Sequence, residues 1–154
     1  MLLRAAAAPD LAELAAGLAR LPLMARYGRD AGRIEADLAA ALGRGDGLLL
    51  AEAQGRPAGL AWFLREGTFA MGGYLKLMAV LPEAQARGVG RALLDAFEAE
   101  VAAASPHAFL LCSDFNVAAQ RFYERHGWAR VGALPGLVLA DVAELVYWKR
   151  VRGR

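Results

Sequence analysis

The chain has 154 residues, 57% hydrophobic and 22% charged; that is enough apolar surface to bury a core, and it excludes disorder, collagen and a coiled coil. Lysine and arginine number 18 against 16 acidic residues, a net charge of +2, with no basic stripe to suit a nucleic acid. A single cysteine, Cys112, excludes an internal disulfide and a cysteine-held metal cluster, and no stretch approaches the ~20 apolar residues of a membrane span.

These limits read as one domain over residues 1–154, with no membrane partner. The opening MLLRAAAAPD mimics a signal peptide, but Asp10 and Glu13 interrupt it and Leu11, Leu14 and Leu18 continue at helical spacing. The expected location is cytoplasmic.

In chain order, Met1–Arg4 suits a short edge strand. Pro9 opens a helix, since its fixed φ and missing N–H fit a first turn, with Leu11, Leu14, Ala15 and Leu18 as its apolar stripe. A second helix is expected over Asp30–Leu42, with Ile34, Leu38 and Leu42 four apart and Gly43 as its stop. Leu48–Ala53 and Gly59–Leu64 are apolar runs around a Gln54-Gly55-Arg56-Pro57 turn, a β-hairpin. Tyr74–Val80 reads as a strand ended by Pro82, Gly88–Ala104 as a helix, Ala108–Cys112 as a strand, and Asn116–His126 as a helix closed by Gly127. Trp128–Val131 and Val142–Trp148 close the chain as strands. Strands and helices mix without regular alternation, so the fold class is α+β with a mixed sheet, not a doubly wound dinucleotide fold.

Two stretches carry chemistry. In Met78–Arg91 a strand ends, a glycine-bearing turn follows and a helix begins. Amides at a helix start lack internal partners and the dipole adds positive charge, so an anion, and above all a diphosphate, suits them. Gly88 and Gly90 clear space for it, and Arg87 and Arg91 add charge. The spacing is neither a P-loop nor the GxGxxG fingerprint; glycines that merely turn the chain are the plain alternative. In Asn116–Trp128, Asn116 and Tyr123 lie seven apart, two helical turns, so they share a side. Asn116 offers donor and acceptor, and Tyr123 a proton for a basic leaving group. Singly, each is as well explained as a helix cap and a core aromatic.

Together, Gln85-x-x-Gly88-x-Gly90 after Ala79-Val80-x-Pro82, and Asn116-x-x-Ala119-x-x-Phe122-Tyr123-Glu124-x-x-Gly127-Trp128, resemble the GNAT family of acyl-CoA-dependent N-acetyltransferases. The resemblance implies a splayed central sheet with helices on both faces and acetyl-CoA as co-substrate. It implies that backbone groups of Met78, Ala79 and Val80 pair with the pantetheine arm and that a strand amide near Met78 stabilises the oxyanion. The diphosphate would take the amides of Ala86, Arg87, Gly88, Val89, Gly90 and Arg91, with Gln85 as a further cofactor-binding residue. Asn116 would touch the cofactor arm. Tyr123 would protonate the CoA thiolate after direct attack by a primary amine in a ternary complex.

The family's general base does not carry over. An early strand glutamate in some members meets Tyr74-Leu75-Lys76 here, and the glutamate five residues before the asparagine in ribosomal-protein acetylases is Leu111, which weakens a protein N-terminus as acceptor. Tyr74, Glu144 and Asp114 are substitutes by location. Cys112 suggests a covalent acyl-cysteine, but its apolar strand favours a core filler. His107 and His126 lack partners at metal spacing, so no metal is expected. A non-catalytic acyl-CoA-binding or regulatory module on the same fold is the alternative function. Leu134–Leu139, apolar for a loop, suits either an acceptor pocket or a homodimer contact.

Overall fold

A computed structural model describes residues 1–153. Seven strands join in the order β1-β2-β3-β4-β5-β7-β6, mostly antiparallel, with five α-helices among the described residues. The chain divides into two compact units: residues 1–64 with 77–97, and residues 65–76 with 98–154. Strands β3 (Arg56–Thr68) and β4 (Gly72–Val80) run through both.

The first unit starts with β1 (Leu2–Ala5) on the sheet edge, paired antiparallel to β2 (Gly47–Ala53). A short 3-10 turn over Ala8–Asp10 carries Pro9 and leads into α1 (Leu11–Ala19), which buries Leu11, Leu14, Ala15 and Leu18 as its spacing requires. The Arg4 guanidinium holds both Asp10 oxygens at 2.8 Å and Glu52 at 3.0 Å, tying the edge strand to that helix start. A short helix, α2 (Pro22–Arg26), was not anticipated; its five residues are too few for a periodic stripe. The next helix, α3, spans Ala31–Arg44, with the Asp30 side chain accepting from Arg33 N–H at 2.8 Å. Gly43 does not stop it. Gly45 does, in the left-handed region at φ 77°, where its N–H reaches Leu42 O and that of Asp46 reaches Ala41 O.

The hairpin between β2 and β3 is tighter than expected. Only Gln54 (φ 54°) and Gly55 (φ 73°) form the turn, and the doubly positive φ suits a two-residue hairpin. Arg56 and Pro57 already belong to β3, and a register shift at Ala51/Glu52 accommodates the proline. The core joins α1 and α3 to Leu48, Leu50, Leu60 and Trp62 of the hairpin and to Ala79 and Leu81. Gly59 is required there: a Cβ would lie 2.7 Å from the Ala79 carbonyl oxygen. Helix α4 (Val89–Ala104) places Val89 and Leu93 against the same glycine.

In the second unit, β4 pairs with β5 (His107–Ser113) in parallel, and the paired positions run from Gly72↔His107 to Leu75↔Leu110, although β4 itself continues to Val80. β5 then pairs antiparallel with β7 (Ala143–Arg150), and β7 with β6 (Ala129–Pro135), which reaches past the expected Val131 and takes in Leu134 and Pro135. Cross-strand partners share a sheet face. Leu75, Leu110, Cys112, Leu145 and Tyr147 therefore form one face, which is buried. Tyr74, Phe109, Leu111, Val146 and Trp148 form the other, half-buried throughout. Helix α5 (Val117–Arg125) covers the buried face, where the rings of Tyr123 and Tyr147 lie 6.2 Å apart.

Candidate active site

In the first unit the strand-to-helix turn has the predicted form. Met78 and Val80 are half-buried and Ala79 is buried, so the end of β4 is anchored while its backbone runs into the turn. Pro82–Ala84 makes one 3-10 turn, and Gln85, Ala86, Arg87 and Gly88 are all exposed. Ala86 takes φ 61° and Gly88 φ 77°. A left-handed alanine is a local strain that the glycine spacing gave no hint of. The first bond entering α4 runs from Ala92 N–H to Gly88 O at 3.1 Å. The amides of Val89, Gly90 and Arg91 therefore have no partner within the helix. The Val89 side chain is buried, so only its backbone can face a ligand. Gly90 is an ordinary second helical residue, and Gly88 alone supplies the left-handed step. Arg91 pairs with Asp95 at 3.3 Å, whereas Arg87 has no ion pair among the described residues.

A cleft of about 450 Å³ lies beside this turn, lined by Glu13, Arg20, Arg56, Leu81, Glu83 and Arg87 among others. Arg20 pairs with Glu83, and Arg56 with Glu13 at 3.2 Å. The first pair fixes the turn to the end of α1; hydrogen bonding to Glu83 raises the Arg20 pKa and, reciprocally, Glu83 is held below the usual carboxylate range.

In the second unit Asn116 caps α5, its Oδ1 accepting from Ala119 N–H at 3.3 Å. Its side-chain N–H groups make no hydrogen bond among the described residues. Gln120, which sequence reasoning passed over, donates to Ser113 O at 3.2 Å and Asp114 O at 2.9 Å and so fixes the approach to the helix. Its position one turn after Asn116 was the available signal. Gly127, at φ 84°, ends the helix as expected.

Tyr123 is 8% exposed, between the rings of Phe122, Trp128 and Tyr147. Its hydroxyl makes no hydrogen bond among the described residues, and the oxygen itself is not enclosed although the ring is. Burial raises its pKa far above the ordinary value, with a smaller contribution from Cys112 beside it, so the phenol carries its proton at neutral pH. Cys112 is buried, donating weakly to the carbonyls of Ser113 and Asn116, and burial pushes its pKa up to about 12. A thiol so held is a poor nucleophile.

The substitutes for a base separate clearly. Asp114 accepts from Ala143 N–H at 3.0 Å, while its own N–H donates to Ala143 O; it closes a loop. Glu144 is 6% exposed and accepts from the Ser113 hydroxyl at 3.4 Å. Tyr74 stands on the same sheet face, its pKa raised by burial and then by the Glu144 charge. Ser113 was not singled out in the sequence, because only the register places it opposite Glu144. Leu134, Leu137 and Val138 are exposed on β6 and the loop after it.

Residues 44–130 match the family model described as an acetyltransferase (GNAT) domain. No curated protein matches the chain in sequence. Among solved structures, it is similar to a ribosomal-protein-alanine N-acetyltransferase from Brucella melitensis, with 21% identity, TM-score 0.77 and coverage of 97% of this chain and 99% of the other. It is similar to an aminoglycoside 6'-N-acetyltransferase complexed with coenzyme A, with 16% identity, TM-score 0.79 and coverage of 100% and 99%. A Salmonella typhimurium protein solved with its cofactor acetyl-CoA shares 18% identity, with TM-score 0.77 and coverage of 100% and 95%. At such identities these likenesses are of fold. The family match over more than half of the chain, on this strand order and with this turn and helix, makes the protein a member of the GNAT acetyltransferase family.

Proposed function

We propose that the chain transfers an acetyl group from acetyl-CoA to a primary amine by direct attack, with Tyr123 protonating the departing thiolate. The observation that carries this reading is the turn over Gln85–Gly88, exposed and left-handed at two positions, leading into helix amides without internal partners. Backbone of that form binds an anion rich in oxygen acceptors, as the diphosphate of CoA is. Arg87 adds a cation, and Met78–Val80 offers strand backbone to the amide-bearing pantetheine arm. Asn116 retains side-chain donors for the same arm.

The acid role needs a proton and a base strong enough to take it. Burial keeps the Tyr123 phenol protonated but also makes it a weaker acid. Burial does the same to its neighbour Cys112, whose thiol is pushed up to about 12, with the Glu144 and Glu124 charges adding to it. A CoA thiolate formed in a comparably dry place is far more basic than in water, where a thiol has a pKa of about 8.5. Phenol and leaving group thus rise together, and transfer between them stays feasible. The free cysteine suits a reducing, cytoplasmic setting.

Adding acetyl-CoA should raise the melting temperature through binding to the native state. Release of CoA thiol across a panel of primary amines tests the transfer itself. Stabilisation without thiol release would favour a non-catalytic acyl-CoA-binding module.

A further inference from the structure

We infer that the cleft between α1, the β2–β3 turn and the segment Leu81–Arg87 is a second anion site, and that its ligand is a phosphate monoester with a small apolar body. The cleft lies wholly within the first unit. The assignment goes beyond acetyl transfer and does not depend on it.

The walls of the cleft carry charge and its floor is apolar. Arg20 comes from the end of α1, Arg56 from the first residue of β3 and Arg87 from the turn, with Glu13 and Glu83 among them. Ala58, Leu81 and Ala84 are buried beneath. Gly17 brings α1 down onto that floor: a Cβ there would lie 2.8 Å from the Leu81 side chain. A volume of about 450 Å³ is within the range of small-molecule sites, so there is room for an organic body as well as a charge.

The cleft already holds an anion, and it is the chain's own. The Glu83 carboxylate accepts from the Arg20 guanidinium, which holds its pKa below the usual range, and the Arg56 charge lowers it further. Arg56 itself donates to Glu13 at 3.2 Å. Every member of the two pairs is more than half exposed, so each pair is weak and open to exchange. Glu83 engages Arg20 by a hydrogen bond and Arg56 by charge alone. A tetrahedral dianion has more acceptor oxygens than a carboxylate and can take charge-assisted bonds from two guanidiniums at once. With Glu83 displaced, three guanidiniums face one carboxylate, an excess of two positive charges that matches a phosphate dianion. Glu83 is thus the resident stand-in for the ligand.

The probe is phenyl phosphate, with phenol, which lacks the anion, as its control, at fixed ionic strength and about pH 8, where the ester is a dianion. Arginine side-chain N–H resonances of Arg20 and Arg56 should move together as phenyl phosphate is added and stay in place with phenol. Arg20→Gln should weaken binding about tenfold or more. Glu83→Gln removes the competing carboxylate and should tighten binding by about two- to fivefold, the strength of an exposed ion pair. Three results would each overturn the assignment: no movement of Arg20 and Arg56 at tens of millimolar phenyl phosphate, movement confined to Arg87 and the amides of Ala86–Arg91, or a Glu83→Gln chain that binds no better than wild type. The wild-type titration stands even if a variant fails to fold. CoA and 3'-dephospho-CoA then identify the source of the phosphate. Movement of Arg20 and Arg56 with CoA alone assigns the site to the 3'-phosphate of CoA, and movement with neither assigns it to a separate ester. Equal movement with both would put the diphosphate in the cleft and overturn the assignment.

Discussion

The glycine turn of the first unit and the start of α5 in the second solve opposite problems. The turn is exposed backbone whose shape is set by two positive φ values, at Ala86 and Gly88, and it offers amides and a cation but no proton. The phenol at Tyr123 is a buried side chain whose proton is held by burial, and it offers one group with no partner among the described residues. On the proposed function the contrast separates binding from chemistry. Backbone can hold an anion without titrating, whereas a proton donor needs surroundings that decide when its proton leaves.

Substitutions should therefore give opposite kinetic signatures. Tyr123→Phe keeps the ring and its packing and removes the proton. It should lower kcat by about 10²- to 10⁴-fold, the range of general acid catalysis, and leave the stabilisation by acetyl-CoA intact. Equal losses in binding and turnover would merge the two regions into one. Gly88→Val should do the reverse. No atom within 4 Å would meet the new Cβ, so the penalty is the left-handed backbone, about 1–2 kcal/mol for a residue with a Cβ. The free variant escapes that cost by leaving the left-handed form, so acetyl-CoA must restore it on binding; roughly tenfold weaker acetyl-CoA binding is expected, with kcat at saturation close to wild type.

Smaller effects sharpen the contrast. Gly59→Ala would press a methyl group to 2.7 Å from the Ala79 carbonyl. A loss of about 1–3 kcal/mol in stability is expected by denaturant unfolding, which tests whether β3 must approach the end of β4 this closely. Cys112→Ser should leave turnover near wild type, because a thiol whose pKa is pushed up to about 12 is no nucleophile. A loss as deep as that of Tyr123→Phe would revive an acyl-cysteine. Asp10 marks the low end of the scale. Hydrogen bonding from Arg4, then from the Ala7 amide, lowers its pKa from 3.8 to about 2. A depressed carboxylate adds stability above its unfolded value and loses it as pH falls through its folded one. Melting temperatures of wild type and Asp10→Asn should thus converge between about pH 4 and pH 2, by a modest amount for a pair still partly open to solvent.

The same contrast explains what the sequence disclosed. The turn was legible because glycine is the cheapest residue for a left-handed step, so Gly88 signals it directly. The strain at Ala86 was not, because alanine has no such signature. Helices α1, α3, α4 and α5 were legible from their stripes and caps, but Gly43 and Gly45 look alike until the chain chooses where to turn left-handed. Tyr123 could be named only once both motifs together carried the resemblance, and its burial depends on which strands α5 covers. Tyr74, Glu144 and Asp114 look alike as substitutes in the sequence; only the β5–β7 register sets Glu144 opposite Ser113 and gives Asp114 the Ala143 backbone to hold. Pairings across distant sequence are what local pattern does not encode.

The central claim is that the amides after Gln85 hold the diphosphate of CoA. Following backbone amide resonances by NMR while CoA is added tests it directly, with pantetheine, which lacks the diphosphate, as the control. The largest shifts should fall on Ala86–Arg91 with CoA and vanish from those residues with pantetheine. Resonances of Ala86–Arg91 that stay put as CoA binds would contradict the claim.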